Sequence, residues 1–126
     1  MSDVTVKRFD DLDGYQATPT SPKQFLYAGK GLGVQSWGMN VLKLPANYKD
    51  YPEHDHMKDG QEEVYVVFEG TATLVADGES IALASGMLAR VGPAVRRKIV
   101  PGGDGVTILA LGGTPGKAYE PKSKKA

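Results

Sequence analysis

Glycine and proline divide this sequence into short segments, which limits the folds that the chain can adopt. The 126 residues include 16 glycines and 8 prolines, and no long segment carries the apolar stripe of an amphipathic helix. The segments between the turns are rich in Val, Leu, Ile and Tyr, which favour strands. We therefore predict strands at Val34–Leu44, Glu63–Glu69, Thr71–Ala76, Glu79–Leu83, Met87–Val91, Arg96–Val100 and Val106–Leu111.

The turns between these segments carry specific signals. Asp77-Gly78 separates two predicted strands and is typical of a type I′ hairpin, in which both turn residues take positive φ. The glycine-rich run 102–105 is predicted to divide the last two strands, and Ser21-Pro22 to start a helical turn over 23–26. Closely spaced strands and turns favour an all-β sandwich or barrel, in a single domain over 1–126.

The two ends differ from this central part. Residues 1–24 are rich in charged residues and turn formers, so we predict an N-terminal arm ahead of a barrel over about 25–116. Residues 117–126 contain four lysines and almost nothing apolar, which predicts a mobile basic tail. The predicted strand Glu63–Glu69 is apolar on both faces, so either the arm or a second subunit must cover its outer face. Of these two, we expect a homodimer.

Composition excludes several classes of function. Lys plus Arg and Asp plus Glu are equal at 15 each, so no net positive field attracts nucleic acid. The chain has no cysteine, which excludes disulfides, thiolate metal sites and cysteine nucleophiles. No apolar run is long enough to span a bilayer, and residues 1–15 contain no secretory h-region. We therefore expect a cytoplasmic protein with no nucleic-acid or membrane partner.

The only two histidines of the chain, His54 and His56, lie one residue apart ahead of a predicted strand. On an extended segment they face the same side, with Cα atoms about 6.6 Å apart at roughly 3.3 Å per residue. Glu62 and Glu63 begin the next strand, so a carboxylate can reach the same place. Two imidazoles and one carboxylate suit first-row divalent metals such as Fe, Mn, Ni, Zn or Cu. The alternative interpretation is a pair of polar residues that hydrogen-bond to backbone or water.

This region resembles the first motif of the cupin superfamily, which reads H-x-H, a short spacer, E, six residues, and G. Here the motif is His54-Asp55-His56, then Glu63, and after six residues Gly70, although the spacer is longer than usual. The resemblance covers roughly residues 32–116 and implies a jelly-roll β-barrel of cupin type. It also implies that His54, His56 and Glu63 are metal ligands, and it selects Glu63 rather than Glu62.

The second motif of the family departs from the pattern in this chain. Gly86 and Pro93 are present, but no histidine follows, and Arg96, Arg97 and Lys98 occupy the region where it would fall. A cation facing the barrel interior repels a divalent metal but pairs well with Glu63. Since facing alternates along a strand, Arg97 lies opposite to its two neighbours, but the sequence does not fix which side is interior.

Two functional hypotheses follow, beside a third possibility in which the chain is a dimeric barrel whose interior is only packed core. In the first, a small cupin binds a divalent transition metal through His54, His56 and Glu63, with dioxygenase or isomerase chemistry on a small organic molecule if it is an enzyme. In the second, a non-catalytic cupin without metal binds a small molecule, and a basic residue of 96–98 pairs with Glu63. The candidate ligand-binding residues are Tyr65, Arg97 and Lys98. Tyr65 is included because it shares its facing with Glu63 and ends in a polar hydroxyl.

Overall fold

The computed structural model describes residues 3–121, and strands make up most of its regular structure. A 3₁₀ turn at Phe9–Asp11 precedes the first strand, and the only α-helix within the described residues, α1, covers Ala28–Leu32. The strands are β1 (Gly14–Gln16), β2 (Lys23–Leu26), β3 (Gly38–Leu44), β4 (Glu62–Ala76), β5 (Glu79–Ala84), β6 (Leu88–Val91) and β7 (Arg97–Gly113).

All strand pairs are antiparallel, and the two long strands organise the sheet. The order is β1-β2-β3-β7-β4-β5, and β6 pairs with the beginning of β4. Residues 62–70 of β4 pair with 106–113 of β7, whereas residues 72–76 pair with 97–101. β6 extends the first half of β4 and β5 extends the second half, so the two long strands pass through both layers of a jelly-roll barrel.

The bend in the long strands depends on two glycines in contact. Gly70 has φ of 84°, and a Cβ on it would lie 2.1 Å from the carbonyl oxygen of Gly105, which has φ of 77°. Only glycine takes this conformation and permits this approach without strain. The ladder between β4 and β7 also shifts register on both sides of Gly70. The bulges turn both strands from one layer into the other.

The sequence prediction is correct for the fold class, and the structure differs from it in several elements. The segments Glu63–Glu69 and Thr71–Ala76 form one strand, and Arg96–Val100 and Val106–Leu111 likewise merge, because the glycines bend the chain without ending it. Residues 23–26 form β2 instead of a helical turn, because they pair with β1 and β3. The hairpin at Asp77-Gly78 is confirmed, with φ of 48° and 82°.

The core fills the space between the two layers. It contains buried residues from both halves of the long strands, among them Tyr65, Val67, Leu74, Ile99 and Ile108. Arg97 is the one charged side chain among the described residues that is buried with them. The barrel is therefore apolar except at the end where Arg97 and Glu63 lie.

The N-terminal segment covers part of the outer surface. A second buried cluster joins Leu12, Leu26 and Ala28 to Val41 of β3. The ring of Phe9 stacks on Phe68 with centroids 5.8 Å apart. The arm was predicted over 1–24. Its described residues, 3–24, form β1 and part of β2, and they cover part of the outer surface of the sheet.

The prediction of a mobile tail over 117–126 falls partly outside the described residues, which end at position 121. Within the described part of the chain, no helix is long and apolar enough to cross a membrane.

Candidate metal centre

Strand β4 directs Glu63 and Tyr65 towards the interior of the barrel. Side chains alternate along the strand, so these two and Val67 share one face. Tyr65 is buried in the core, and the Glu63 side chain retains 16% of its exposure. Glu62 points outward, where its Oε1 accepts a hydrogen bond of 2.8 Å from Arg90.

The segment with the two histidines is held against β7 and the loop before it. The backbone N–H of His54 donates to the carbonyl of Arg97 at 2.9 Å, and the N–H of Arg97 donates back at 2.8 Å. The N–H of His56 donates to the carbonyl of Pro93 at 2.9 Å. This extended segment places both imidazoles on one side, with ring centroids 5.1 Å apart.

The two imidazoles and the carboxylate converge on one point. Glu63 Oε1 lies 3.8 Å from His54 Nε2 and 3.5 Å from His56 Nε2, and the three ligand atoms are within 4.8 Å of one another. Ligand atoms about 2.1 Å from a metal are separated by roughly 3.0–3.4 Å at octahedral or tetrahedral angles. Small side-chain movements bring both glutamate–histidine distances, 3.8 and 3.5 Å, to that separation, so the donor set fits a metal.

The outer nitrogens of the two rings are already fixed by hydrogen bonds. His54 Nδ1 lies 2.9 Å from the carbonyl oxygen of Pro52, which only accepts, so Nδ1 carries the proton. His56 Nδ1 lies 3.1 Å from a carboxylate oxygen of Asp59 and donates to it in the same way. In their neutral form both rings therefore present the Nε2 lone pair to the interior, the arrangement found in metal-ligating histidines.

The polar side chains described at this centre do not satisfy the hydrogen-bonding capacity of the His56 Nε2 atom. It is buried, and within residues 3–121 it has no hydrogen-bond partner. A buried acceptor without a partner costs free energy, so such atoms are rare unless a ligand or water satisfies them. A metal ion at the point of convergence would supply that partner.

The charges around Glu63 keep it ionised. Burial alone would raise the pKa of Glu63, but His54, the Tyr65 hydroxyl and the charges of His56 and Arg97 together lower it below its ordinary value. The interaction with Glu63 raises the pKa of His54, against the opposing effect of burial. The Tyr65 hydroxyl donates to Glu63 Oε1 at 2.8 Å and orients the carboxylate.

Arg97 is the basic residue that enters the interior. Its side chain is fully buried, and its NH2 lies 3.6 Å from Glu63 Oε1 and 3.4 Å from the carbonyl oxygen of Gly92. Lys98 lies on the opposite face of β7, because facing alternates along the strand. Arg96 lies at the surface, 3.8 Å from carboxylate oxygens of Glu53 and Asp55.

Sequence reasoning missed Tyr51. Its hydroxyl lies 3.4 Å from that of Tyr65, and its ring lies 5.9 Å from that of His54. Burial raises the pKa of Tyr51 to about 12. No periodic pattern marks this residue, since it lies in an irregular segment between β3 and β4. Its proximity to the two prolines of that segment was the only available signal.

The fold can be compared with solved structures. A cupin protein from Bacteroides fragilis is 20% identical with a TM-score of 0.63, over 91% of this chain and 97% of that one. A sugar phosphate isomerase from a cupin superfamily, from Silicibacter pomeroyi, is 22% identical with a TM-score of 0.70, over 86% of this chain and 74% of that one. This chain has a cupin fold.

A further cupin of this fold, described as RmlC-like and from Desulfovibrio desulfuricans, is 19% identical with a TM-score of 0.54. The alignment covers 62% of this chain and 72% of that one. No protein-family model matches the sequence, and no curated protein matches it either. At these identities the likeness shows the cupin fold, while function depends on the residues of the site.

Proposed function

We propose that this cupin binds one divalent transition metal, from the set Fe, Mn, Ni, Zn and Cu, through His54, His56 and Glu63. The observation that carries the proposal is the buried His56 Nε2, which lies 3.5 Å from Glu63 Oε1 and lacks a hydrogen-bond partner in the described part of the chain. Mixed nitrogen and oxygen donors match these metals. Such a metal would supply a Lewis acid or a dioxygen-binding centre.

The surrounding residues act by positioning the three ligands. Pro52 and Asp59 hold the outer nitrogens of the two rings, and Tyr65 holds one oxygen of Glu63. Partners of this kind fix ring orientation and increase the basicity of the ligands. Three protein ligands leave coordination positions for a small organic molecule. Chemistry of the isomerase or dioxygenase type on that molecule fits such an open site, and one structural neighbour is described as a sugar phosphate isomerase.

The metal content of the purified protein tests this proposal. The protein is produced without a histidine tag and without chelator, and its metals are counted by plasma mass spectrometry. We expect close to one transition-metal ion per chain in the wild type, and less than a tenth of that in the double variant His54→Ala/His56→Ala. Glu63→Gln should lose most of the metal, whereas the matched control Glu62→Gln should keep it, because Glu62 pairs with Arg90 at the surface.

A second candidate function rests on the ion pair in the interior. Arg97 NH2 lies 3.6 Å from Glu63 Oε1, so the carboxylate has a cationic partner even without metal. In this alternative the protein is a non-catalytic module that binds a small molecule near Tyr65 and Arg97. A metal-free wild type that takes up no added transition metal, with ordinary stability, would favour this alternative and refute the first proposal.

The homodimer and the cytoplasmic location stay predictions. Leu88 of β6 lies opposite Val66 of β4 on the outer face, and Leu88 is 70% exposed. A second copy of the chain would bind there. Sedimentation should then show a dimer for the wild type and a monomer for Leu88→Glu, while Val100→Glu, on the other layer, stays dimeric. A monomeric wild type would exclude the homodimer.

A further inference from the structure

We infer that the metal centre binds its ion together with an oxyanion, which the buried guanidinium of Arg97 holds. The inference rests on the proposed metal binding and adds the chemical class of the second ligand. That class is a small molecule with a carboxylate or phosphate group.

The first support is the unsatisfied state of the Arg97 side chain. It is 0% exposed, and neither Nε nor NH1 has a hydrogen-bond partner among the described residues. A guanidinium has five N–H donors and no acceptor, so it needs several oxygen atoms around it. Within residues 3–121, NH2 is the one nitrogen of this guanidinium with a hydrogen-bond acceptor, the carbonyl oxygen of Gly92 at 3.4 Å. Since unpaired buried donors cost free energy, these two nitrogens indicate a ligand with acceptor oxygens.

The second support is the position of Arg97 relative to the metal ligands. Its NH2 lies 3.6 Å from Glu63 Oε1, the same oxygen that lies 3.5 Å from His56 Nε2. The backbone bridge between His54 and Arg97 ties the guanidinium to the segment that carries the histidines. A molecule bound to the metal at an open position is therefore within reach of the guanidinium, and an oxyanion can contact both cations.

The third support is the charge of the loaded site. The negative charge of Glu63 is already balanced by the positive charge of Arg97. The imidazoles are neutral when they ligate a metal, so a divalent ion adds two positive charges that these residues do not balance. Asp59, behind the His56 ring, reduces this excess by one. Glu62 and Asp55 do not contribute, because they lie outside and pair with Arg90 and Arg96. An anion on the metal balances the remaining charge, and carboxylates and phosphates are the groups that arginine binds best.

Metal titrations in the presence of different anions test the inference. Metal-free protein is titrated with Co²⁺ in a chloride buffer, and then with added acetate or inorganic phosphate at the same ionic strength. Affinity is measured by calorimetry, and the visible d–d absorption of Co²⁺ reports changes in its ligands. We expect at least one oxyanion to increase Co²⁺ affinity tenfold or more and to alter the absorption spectrum. The anion with the larger effect identifies the group as a carboxylate or a phosphate.

Arginine variants show whether the oxyanion depends on Arg97. In Arg97→Met the anion effect should fall below twofold, in Arg97→Lys it should be partly retained, and the matched surface control Arg96→Met should behave as the wild type. An equal anion effect in Arg97→Met would overturn the inference, because the anion would then depend on the metal alone. If Arg97→Met fails to fold, the anion effect in the wild type and its partial retention in Arg97→Lys still test the inference.

The outcomes separate the inference from the proposed function. Co²⁺ binding that is unaffected by either oxyanion in the wild type refutes the inference and leaves the metal site intact. Failure to bind Co²⁺ under every condition refutes both.

Discussion

Replacing Glu63 by glutamine should destabilise the metal-free protein far more than the same replacement at Glu62. The two carboxylates are adjacent on β4 but face opposite ways. Glu63 lies 3.6 Å from the fully buried Arg97, whereas Glu62 pairs with Arg90, whose side chain is 62% exposed. Glu63→Gln keeps the shape of the side chain but leaves a cation in the core without a counter-charge.

The expected cost can be worked from this geometry. Two unit charges 3.6 Å apart attract by about 4.6 kcal/mol at an effective dielectric constant of roughly 20. Because the Glu63 side chain is partly exposed and the amide oxygen still accepts hydrogen bonds, we expect a loss of about 3 kcal/mol, at the lower end of values for broken buried pairs. For a chain of this size the melting temperature should fall by about 10 °C. Glu62→Gln should cost less than about 1 kcal/mol.

The free energy of unfolding is measured by urea titration followed by circular dichroism, after chelator treatment that removes bound metal. A difference of less than about 1 kcal/mol between the two glutamine variants would refute the reasoning. The double variant Glu63→Gln/Arg97→Met provides a further check. It removes both charges, so it should recover at least half of the lost stability.

Three other properties of the chain can be tested in the same way. Gly70→Ala should cost more than about 3 kcal/mol or prevent folding, because its φ is 84° and its Cβ would meet a backbone oxygen at 2.1 Å. Gly103→Ala, whose Cβ meets nothing within 4 Å in the described chain, should cost less than about 1 kcal/mol in the same urea assay, and equal costs would contradict the packing at the bend. Tyr51, with a pKa of about 12, stabilises the folded state in its neutral form, so that contribution is complete below about pH 10 and is lost as the pH rises through 12. Stability of the wild type should therefore fall more steeply above pH 10 than that of Tyr51→Phe, and parallel curves would argue against a buried phenol. Tyr65→Phe should raise the pKa of Glu63 towards its ordinary value, because it removes a hydrogen bond of 2.8 Å, and an unchanged carboxylate titration by NMR would contradict this role.

Local sequence was sufficient for features that depend on neighbouring residues. The spacing of His54 and His56 predicted that both imidazoles face one side, and Asp77-Gly78 predicted the hairpin turn. The resemblance to the cupin motif, through the interval from Glu63 to Gly70, implied the glutamate that the structure brings to the histidines. Strand alternation and turn geometry are set within a few residues, so a single sequence reveals them.

The parts that failed depend on contacts between distant residues. The glycines at 102–105 resemble a strand boundary, but β7 continues through them because residues 97–101 and 106–113, on either side, both pair with the bent β4. Tyr51 has no regular element around it, and its hydroxyl meets Tyr65 only in the folded barrel. A strand propensity assigned from the local sequence contains no information about the partner strand, so it does not reveal such long-range contacts.

The sequence by itself determined an all-β chain, and its resemblance to the cupin motif implied a barrel in which two histidines and a glutamate meet. The same resemblance limited the candidate interior cations to residues 96–98. The tertiary structure decided that this cation is Arg97, since the bridge to His54 and the pairing of Arg97 with Ala76 fix the absolute facing of β7. Strand alternation shows which residues share a face, but not which face is the interior one. A register shift of one residue would have placed a different basic side chain in the interior.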